Sequence, residues 1–168
     1  MTDIKSGANP LFLREAELRQ SMELLFYAYR DFTAEADQIL AAYKFGRAHH
    51  RVLYFVSRYP EISVAQLLDI LDITKQSLSR VLSQLIERGF IEQRTGVRDR
   101  RRRLLRLTAE GVALEQRLSQ DQRRRIAEAY RRAGPEAVEG YRRVLLNMIN
   151  EHDRARLEGT ASDRRATG

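Results

Sequence analysis

The segment 74–88 carries side chains of the kind that read the edges of nucleic-acid bases. Successive helical residues lie about 100° apart, so a helix here has an apolar face consisting of Leu78, Val81, Leu82 and Leu85. The opposite face is polar and consists of Gln76, Arg80, Ser83 and Glu87, flanked by Ser79 and Gln84. Arginine pairs with guanine, glutamine pairs with adenine, and serine reaches several bases or a phosphate. Any amphipathic helix has a polar outer face, so the neighbouring segments are needed to decide whether this face binds nucleic acid.

The segment 94–106 holds most of the net charge of the chain. It contains seven arginines and one aspartate, so it accounts for +6 of a formal net charge of +7 in 168 residues. Charge concentrated in one short segment indicates contact with a polyanion. The candidate contact residues are Arg94, Arg98, Asp99, Arg100, Arg101, Arg102 and Arg103. We expect the Asp99 carboxylate to hold a neighbouring guanidinium and so to shape the tip of the loop.

The elements around these two segments follow the order of a winged helix-turn-helix. Ser63 is a predicted N-cap for a short helix, and Thr74 caps the second helix after a turn at 72–73. Residues 90–94 and 103–107 alternate as two short strands that flank the basic loop, where Gly96 suits a turn. This order places the helix 74–88 in a major groove and the loop at an adjacent minor groove.

An apolar stripe near the N-terminus predicts a subunit interface. Its members are spaced alternately by four and three residues, and they are Leu18, Met22, Leu25, Tyr29, Phe32, Ala36, Ile39 and Tyr43. The helix that carries them has about 30 residues before Gly46 breaks it, which exceeds the usual length of roughly 8–20. So long a helix in a small chain favours packing against a second copy. The alternative is a long helix that lies on the core of its own subunit.

The predicted architecture is mainly α with a small β-hairpin wing, in which a winged domain spans 45–107. Dimerisation helices span 10–44 and 108–153, the latter interrupted where Pro135 starts a final helix. The ends of the chain, 1–9 and 154–168, are expected to be a disordered segment and a flexible tail.

Several classes of function are disfavoured. The chain has no cysteine, which excludes disulfides and cysteine zinc sites. It lacks a phosphate-binding loop, a nucleophile elbow and an apolar run of about 20 residues, so we expect no enzyme, cofactor, membrane partner or catalytic residue. We expect no metal site either, because adjacent His49 and His50 point in different directions. The absence of a leader predicts a cytoplasmic, nucleoid-associated protein.

The residues of the two segments also resemble the MarR family of bacterial transcriptional regulators. The stretches that carry the resemblance are 63–67, 73–80 and 85–91, with the most specific match at Asp99-Arg100-Arg101 followed by Leu107-Thr108-Ala109-Glu110-Gly111. The segment 48–55 is similar to the PetP-type branch of that family. The resemblance covers about residues 15–150.

The resemblance implies an obligate dimer on a pseudo-palindromic operator. It also implies that Asp99 and Arg101 are the wing pair, with Arg101 in the minor groove. Ser77, Ser79 and Arg80 match positions of the recognition helix, for which the full predicted contact set is Lys75, Gln76, Ser77, Ser79, Arg80, Ser83 and Gln84.

Many members of the family bind a small aromatic or anionic effector between the dimerisation helices and the winged domain. The residues that could form such a pocket here are Phe45, His49, Arg51, Tyr54, Phe55 and Tyr59, with Arg47 and Arg58 nearby. These side chains equally suit simple packing of the interface, and His49 suits a place in the core.

The sequence therefore predicts a homodimeric regulator that binds double-stranded DNA at specific sites. One alternative is a nonspecific or architectural winged-helix protein without an effector. A second is a protein-interaction module whose basic hairpin docks an acidic partner. An RNA-binding role is disfavoured, because the basic face has no aromatic side chains for base stacking.

Overall fold

The computed structural model describes residues 10–166, with side chains through residue 158. A 3-10 turn at Leu11–Leu13 precedes seven α-helices and three strands in the described chain. The elements in chain order are α1 (Glu15–Ala42), α2 (Arg47–Arg58), β1 (Ile62–Ser63), α3 (Val64–Leu71), α4 (Lys75–Glu87), β2 (Ile91–Thr95), β3 (Arg103–Leu107), α5 (Ala109–Ala133), α6 (Pro135–Met148) and α7 (Glu151–Ala166). The expected fold class is confirmed, whereas the predicted disordered segment 1–9 lies outside the described residues.

Three helix starts have side-chain caps of the residue types that favour them, and two of these caps, Ser63 and Thr74, were predicted. The hydroxyl of Ser63 accepts the backbone N–H of Gln66 at 3.1 Å, and the Gln66 side-chain oxygen accepts the Ser63 N–H at 3.0 Å. Thr74 accepts the N–H of Ser77, and Thr108 accepts the N–H of Gly111, each at 3.1 Å. Because each cap satisfies an N–H that the helix leaves unpaired, it fixes where the helix begins.

The wing is part of a three-stranded antiparallel sheet in the order β1-β3-β2. The two predicted strands form β2 and β3, with Gln93 opposite Leu105, although Phe90 belongs to the turn after α4 and not to a strand. The third strand was not predicted. It consists of two residues, Ile62 and Ser63, which pair with Leu105 and Leu104.

The winged domain is filled by side chains from its helices and its sheet. Leu67 of α3, Leu85 of α4 and Leu105 of β3 are completely buried. Gly111 lets the first turn of α5 lie directly on this layer, because a Cβ at that position would be 2.0 Å from the carbonyl oxygen of Phe90. The core then continues into α1 through Leu40. The polar face of α4 is therefore held by a packed domain.

The apolar stripe of α1 divides into two halves. Ala36 and Leu40, near its C-terminal end, are buried against the rest of the chain. Met22 and Leu25, in the N-terminal half, remain 72% and 52% exposed. Helix α6 likewise exposes Tyr141, Val144 and Met148 and has no buried residue.

The end of the chain differs from the predicted flexible tail, because residues 151–166 form helix α7. Two acidic residues, Glu151 and Asp153, lie in its first turn, where they interact favourably with the helix dipole. Arg156 contacts Asp69 of α3, and His152 lies 3.1 Å from the same carboxylate. These pairs join residues that are more than eighty positions apart in the chain, so the local composition could not indicate them.

Candidate nucleic-acid interface

Helix α4 presents the expected polar face to solvent. Its inner side chains, from Leu78 to Leu85, are buried, which fixes the rotation of the helix about its axis. The exposed outer residues are Lys75, Gln76, Ser77, Ser79, Arg80, Ser83, Gln84 and Glu87. Within the described residues, the side chains of Lys75, Gln76 and Arg80 form no hydrogen bond or ion pair. These donors and acceptors are consequently available to a ligand.

The N-terminal end of α4 is organised around Thr74. The Thr74 hydroxyl accepts the Ser77 N–H and donates to the Ser77 hydroxyl oxygen at 2.8 Å. Ser77 therefore has a fixed position, and its own hydroxyl proton is free to point outward. This end of the helix also carries the positive end of the helix dipole, which favours phosphate.

Gln84 differs from the other predicted contact residues, because its side-chain oxygen lies 2.6 Å from Nε2 of His49. A helical-wheel projection of the sequence places Gln84 beside the outer face of α4, but it cannot show that the side chain reaches α2. Within this structure the oxygen of Gln84 connects two helices, although the residue itself is exposed.

The tip of the wing is shaped by backbone hydrogen bonds. The Gly96 N–H donates to the Arg102 carbonyl at 2.8 Å, and the Arg102 N–H donates to the Asp99 carbonyl at 3.1 Å. The Asp99 carboxylate accepts the backbone N–H of Arg101 at 2.9 Å. The expectation that it holds a guanidinium was therefore wrong, since aspartate readily closes a turn onto the N–H two residues further on. A Cβ on Gly96 would be 2.6 Å from the Asp99 carbonyl oxygen, so the turn requires glycine.

The basic side chains of the wing form two groups. Arg94 pairs with Glu92 at 3.1 Å, and Arg106 pairs with Glu61 at 2.7 Å. The arginines at the tip have no hydrogen bond or ion pair from their side chains within the described residues, and they are Arg98, Arg100, Arg101, Arg102 and Arg103. The uncompensated charge is thus concentrated at the tip and its flank.

A cavity of about 640 Å³ lies between α1, α2 and α5. Three of the predicted pocket residues line it, namely Arg51, Tyr54 and Phe55. The other three do not, because Phe45 and His49 are buried in the core and Tyr59 lies at a different depression beside α3. Sequence reasoning missed the wall contributed by α1 and α5, which includes Tyr29, Phe32, Glu115 and Arg123.

Charged groups of both signs surround the cavity. Burial lowers the pKa of His50, partly offset by the carboxylates of Glu115 and Asp37. A hydrogen bond from Arg47 to Asp37 at 3.0 Å raises the pKa of that guanidinium. Arg51 donates to the hydroxyl of Tyr29 at 3.0 Å. Aromatic walls with nearby guanidinium groups suit a flat, anionic molecule.

The described residues include no group of three histidine or acidic residues placed to hold a metal ion. None of their helices is both long enough and apolar enough to cross a membrane.

Comparisons with known proteins agree with this geometry. Residues 43–102 match the family model described as MarR family. The HTH-type transcriptional regulator PetP of Rhodobacter capsulatus is 48% identical over 149 residues, which cover 89% of this chain and 90% of that protein.

Solved structures share the fold. A MarR family transcription regulator superposes with a TM-score of 0.66 at 21% identity, covering 88% of this chain and 94% of that one. A mutant of MarR from E. coli, complexed with operator DNA, has a TM-score of 0.60 at 19% identity and covers 84% of this chain and 100% of that one.

The sheet, the caps and the exposed face of α4 define a winged helix-turn-helix protein. With the relative at 48% identity over nearly its whole length, the chain belongs to the MarR family and is a transcriptional regulator of that family.

Proposed function

We propose that this protein binds double-stranded DNA as a homodimer and recognises a pseudo-palindromic operator. Residues 45–107 act as the DNA-binding domain, and the segments 10–44 and 108–153 carry the dimer interface. The outer face of α4 enters the major groove, where Gln76, Ser79 and Arg80 contact base edges. The arginines at the tip of the wing bind phosphates and the adjacent minor groove, with Arg101 inserted.

The observation that carries the proposal is the pairing of two exposed surfaces on one packed domain. Among the residues that the structure describes, Lys75, Gln76 and Arg80 have no side-chain partner on α4, and neither have five arginines at the wing. Arg94 and Arg106, in contrast, are paired with Glu92 and Glu61, so the unpaired positive charge is concentrated on the two surfaces that contact DNA in this proposal.

Selection of bound duplexes from a random library tests the proposal. We expect the wild-type protein to enrich a site with two related half-sites, whose centres are about 34–36 Å or a multiple apart. If the dimer neutralises about 6–10 phosphates, its affinity falls roughly 10³–10⁵-fold between 50 and 200 mM salt. Enrichment of no site, with the same dependence on salt, would indicate a nonspecific or architectural DNA-binding protein.

An effector fits the cavity between α1, α2 and α5. Its volume of about 640 Å³ suits a small molecule, and Tyr29, Tyr54 and Phe55 supply aromatic surface beside Arg51. We therefore extend the proposal to regulation by an anionic aromatic compound. Benzoate and its hydroxylated derivatives, titrated into the complex with the selected operator, test this extension. The expected result is weaker DNA binding by wild type and a smaller response in Arg51→Ala.

A further inference from the structure

The side chain of Gln84 lies on the recognition helix but contacts the protein. Its oxygen is 2.6 Å from Nε2 of His49, a residue of α2 that is only 8% exposed. Gln84 flanks the outer face of α4 in the second half of the helix, after Arg80. A contact at this point adds to the buried apolar face in holding the rotation of α4 and its angle to α2.

The other ring nitrogen of His49 determines the direction of this hydrogen bond. The backbone N–H of Gly46 donates to Nδ1 at 3.0 Å, so Nδ1 carries no proton. The proton of the neutral ring is then on Nε2, which donates to the oxygen of Gln84. The ring is also stacked on Phe45, with centroids 4.4 Å apart and planes 12° from parallel. The contacts with Gly46 and Phe45 therefore fix the position of the His49 ring, which bonds to Gln84 of α4.

The C-terminal end of α4 contacts the same region. Arg88, which follows the helix, donates a hydrogen bond to the carbonyl oxygen of Tyr43. Its guanidinium also lies over the ring of Phe45, 4.6 Å from the centroid. We call the segment 43–49 the junction segment, because it consists of the connection between α1 and α2 and the first residues of α2. The junction segment thus contacts Gln84 of α4 and Arg88, the residue that follows α4.

We propose that Gln84 is a positioning residue, whose hydrogen bond to His49 fixes the orientation in which α4 presents its base-reading face. This inference rests on the proposed function, since it concerns how the recognition helix is aimed. Gln84 contributes to the choice of site without contacting a base. Gln76, in contrast, has the same side chain on the same helix but no partner among the described residues, and it contacts DNA directly.

A double-mutant cycle with one variant at each of the two positions tests the assignment. His49→Asn keeps an acceptor for the Gly46 N–H but cannot reach Gln84, and Gln84→Leu removes the partner on α4. We expect each single variant to bind the operator selected by wild type about tenfold more weakly. The double variant should also lose about tenfold, because both changes remove one interaction. Binding to a random duplex at low salt should be unchanged.

Two further variants serve as controls. Gln76→Leu makes the same chemical change at an unpartnered position, so its loss should multiply with that of His49→Asn. Gln84→Glu retains an acceptor for Nε2–H, so it should keep most of the preference for the operator over the random duplex. A hundredfold loss in the His49→Asn/Gln84→Leu double variant, together with no recovery in Gln84→Glu, would mean that Gln84 reads DNA itself and would overturn the inference.

Hydrogen exchange of the free protein provides a readout that does not need DNA. We expect faster exchange of the amides of α4 in Gln84→Leu, with α3 unchanged, and wild-type rates in both Gln84→Glu and Gln76→Leu. If wild type selects no operator, the proposed function fails, yet this measurement still decides the inference. Wild-type exchange rates throughout α4 in Gln84→Leu would show that the bond to His49 does not hold the helix.

Discussion

The winged domain and the helices outside it differ in how completely one chain buries their apolar side chains. In the winged domain, Leu67, Leu85 and Leu105 are inaccessible to solvent. In the N-terminal half of α1, Met22 is 72% exposed, and in α6 Met148 is 62% exposed. Met22 nevertheless belongs to a stripe of α1 whose other half is buried at Ala36 and Leu40.

This contrast shows which apolar side chains one copy of the chain buries. The core of the winged domain is completed within one chain, by Leu40 of α1 and Leu114 of α5, so a single copy suffices to present α4 and the wing. The helices outside it leave large apolar side chains on two elements, and such surfaces mark protein interfaces. The proposed division into a reading domain and a dimerisation region follows from this difference in burial.

The largest effect should come from placing charge on the exposed half of the stripe. Met22→Glu combined with Leu25→Glu puts four carboxylates at the proposed interface of two copies. We expect a monomer by sedimentation velocity and a loss of operator affinity of about 10²–10⁴-fold, because the two half-sites would no longer be bound together. A control with Ala16→Glu and Gln20→Glu adds the same charge on the opposite side of α1 and should remain a dimer. A dimer in both variants would refute the placement of the interface.

The next largest effect should come from the closed core. Leu85→Ala removes a completely buried side chain from the inner face of α4. The free energy of unfolding, measured with urea, should fall by roughly 2–5 kcal/mol. Ser83→Ala, an exposed change on the same helix, should stay within about 0.5 kcal/mol of wild type. Similar small losses in both variants would mean that the winged domain is not the packed unit described above.

Much of the winged domain could be predicted because its signals are local. The N-caps Ser63 and Thr74 lie beside the helices that they begin, and the apolar face of α4 repeats within one segment. The third strand escaped prediction, because two residues carry no periodicity and become a strand only by pairing with β3.

The details that were missed depend on contacts between distant residues. Gln84 was expected to face DNA, and its bond to His49 joins positions 35 residues apart. His49 was expected near the pocket, whereas its neighbour His50 lines the cavity. A helical-wheel projection gives the direction of each side chain relative to its own helix, but it does not show which neighbouring element the side chain contacts. The partner of Asp99 was missed for a different reason, because its carboxylate accepts the backbone N–H of Arg101 only two residues further on, whereas the surrounding arginines suggested a guanidinium.

Within the winged domain, the two proposed contact regions should respond differently to the loss of one arginine. Arg80→Ala should cost about 1–3 kcal/mol of operator affinity and relax base preference at one position per half-site. Arg101→Ala should weaken binding most at operators with A·T-rich flanks, where the minor groove is narrow. Binding measurements on the selected operator, on single-base variants and on a random duplex separate the two. Equal losses on all duplexes for both variants would remove the distinction between base reading and groove contact.

The smallest effect concerns the cavity between the two regions, where α2 of the winged domain meets α1 and α5. Burial lowers the pKa of His50 below its usual 6.5, against the opposing carboxylates of Glu115 on α5 and Asp37 on α1, and with Arg51 of α2 adding to the decrease. The unfolded chain therefore binds a proton at His50 more readily than the folded protein does. The stability that His50 contributes is complete above pH 6.5 and is lost as the pH falls through the lowered pKa of the folded state.

His50→Gln cannot titrate, so the difference in unfolding free energy between wild type and this variant should shift against wild type as the pH falls from about 7.5 to 5.5. Urea titrations at several pH values measure it, and a shift in the opposite direction would mean that the carboxylates outweigh burial in this cavity.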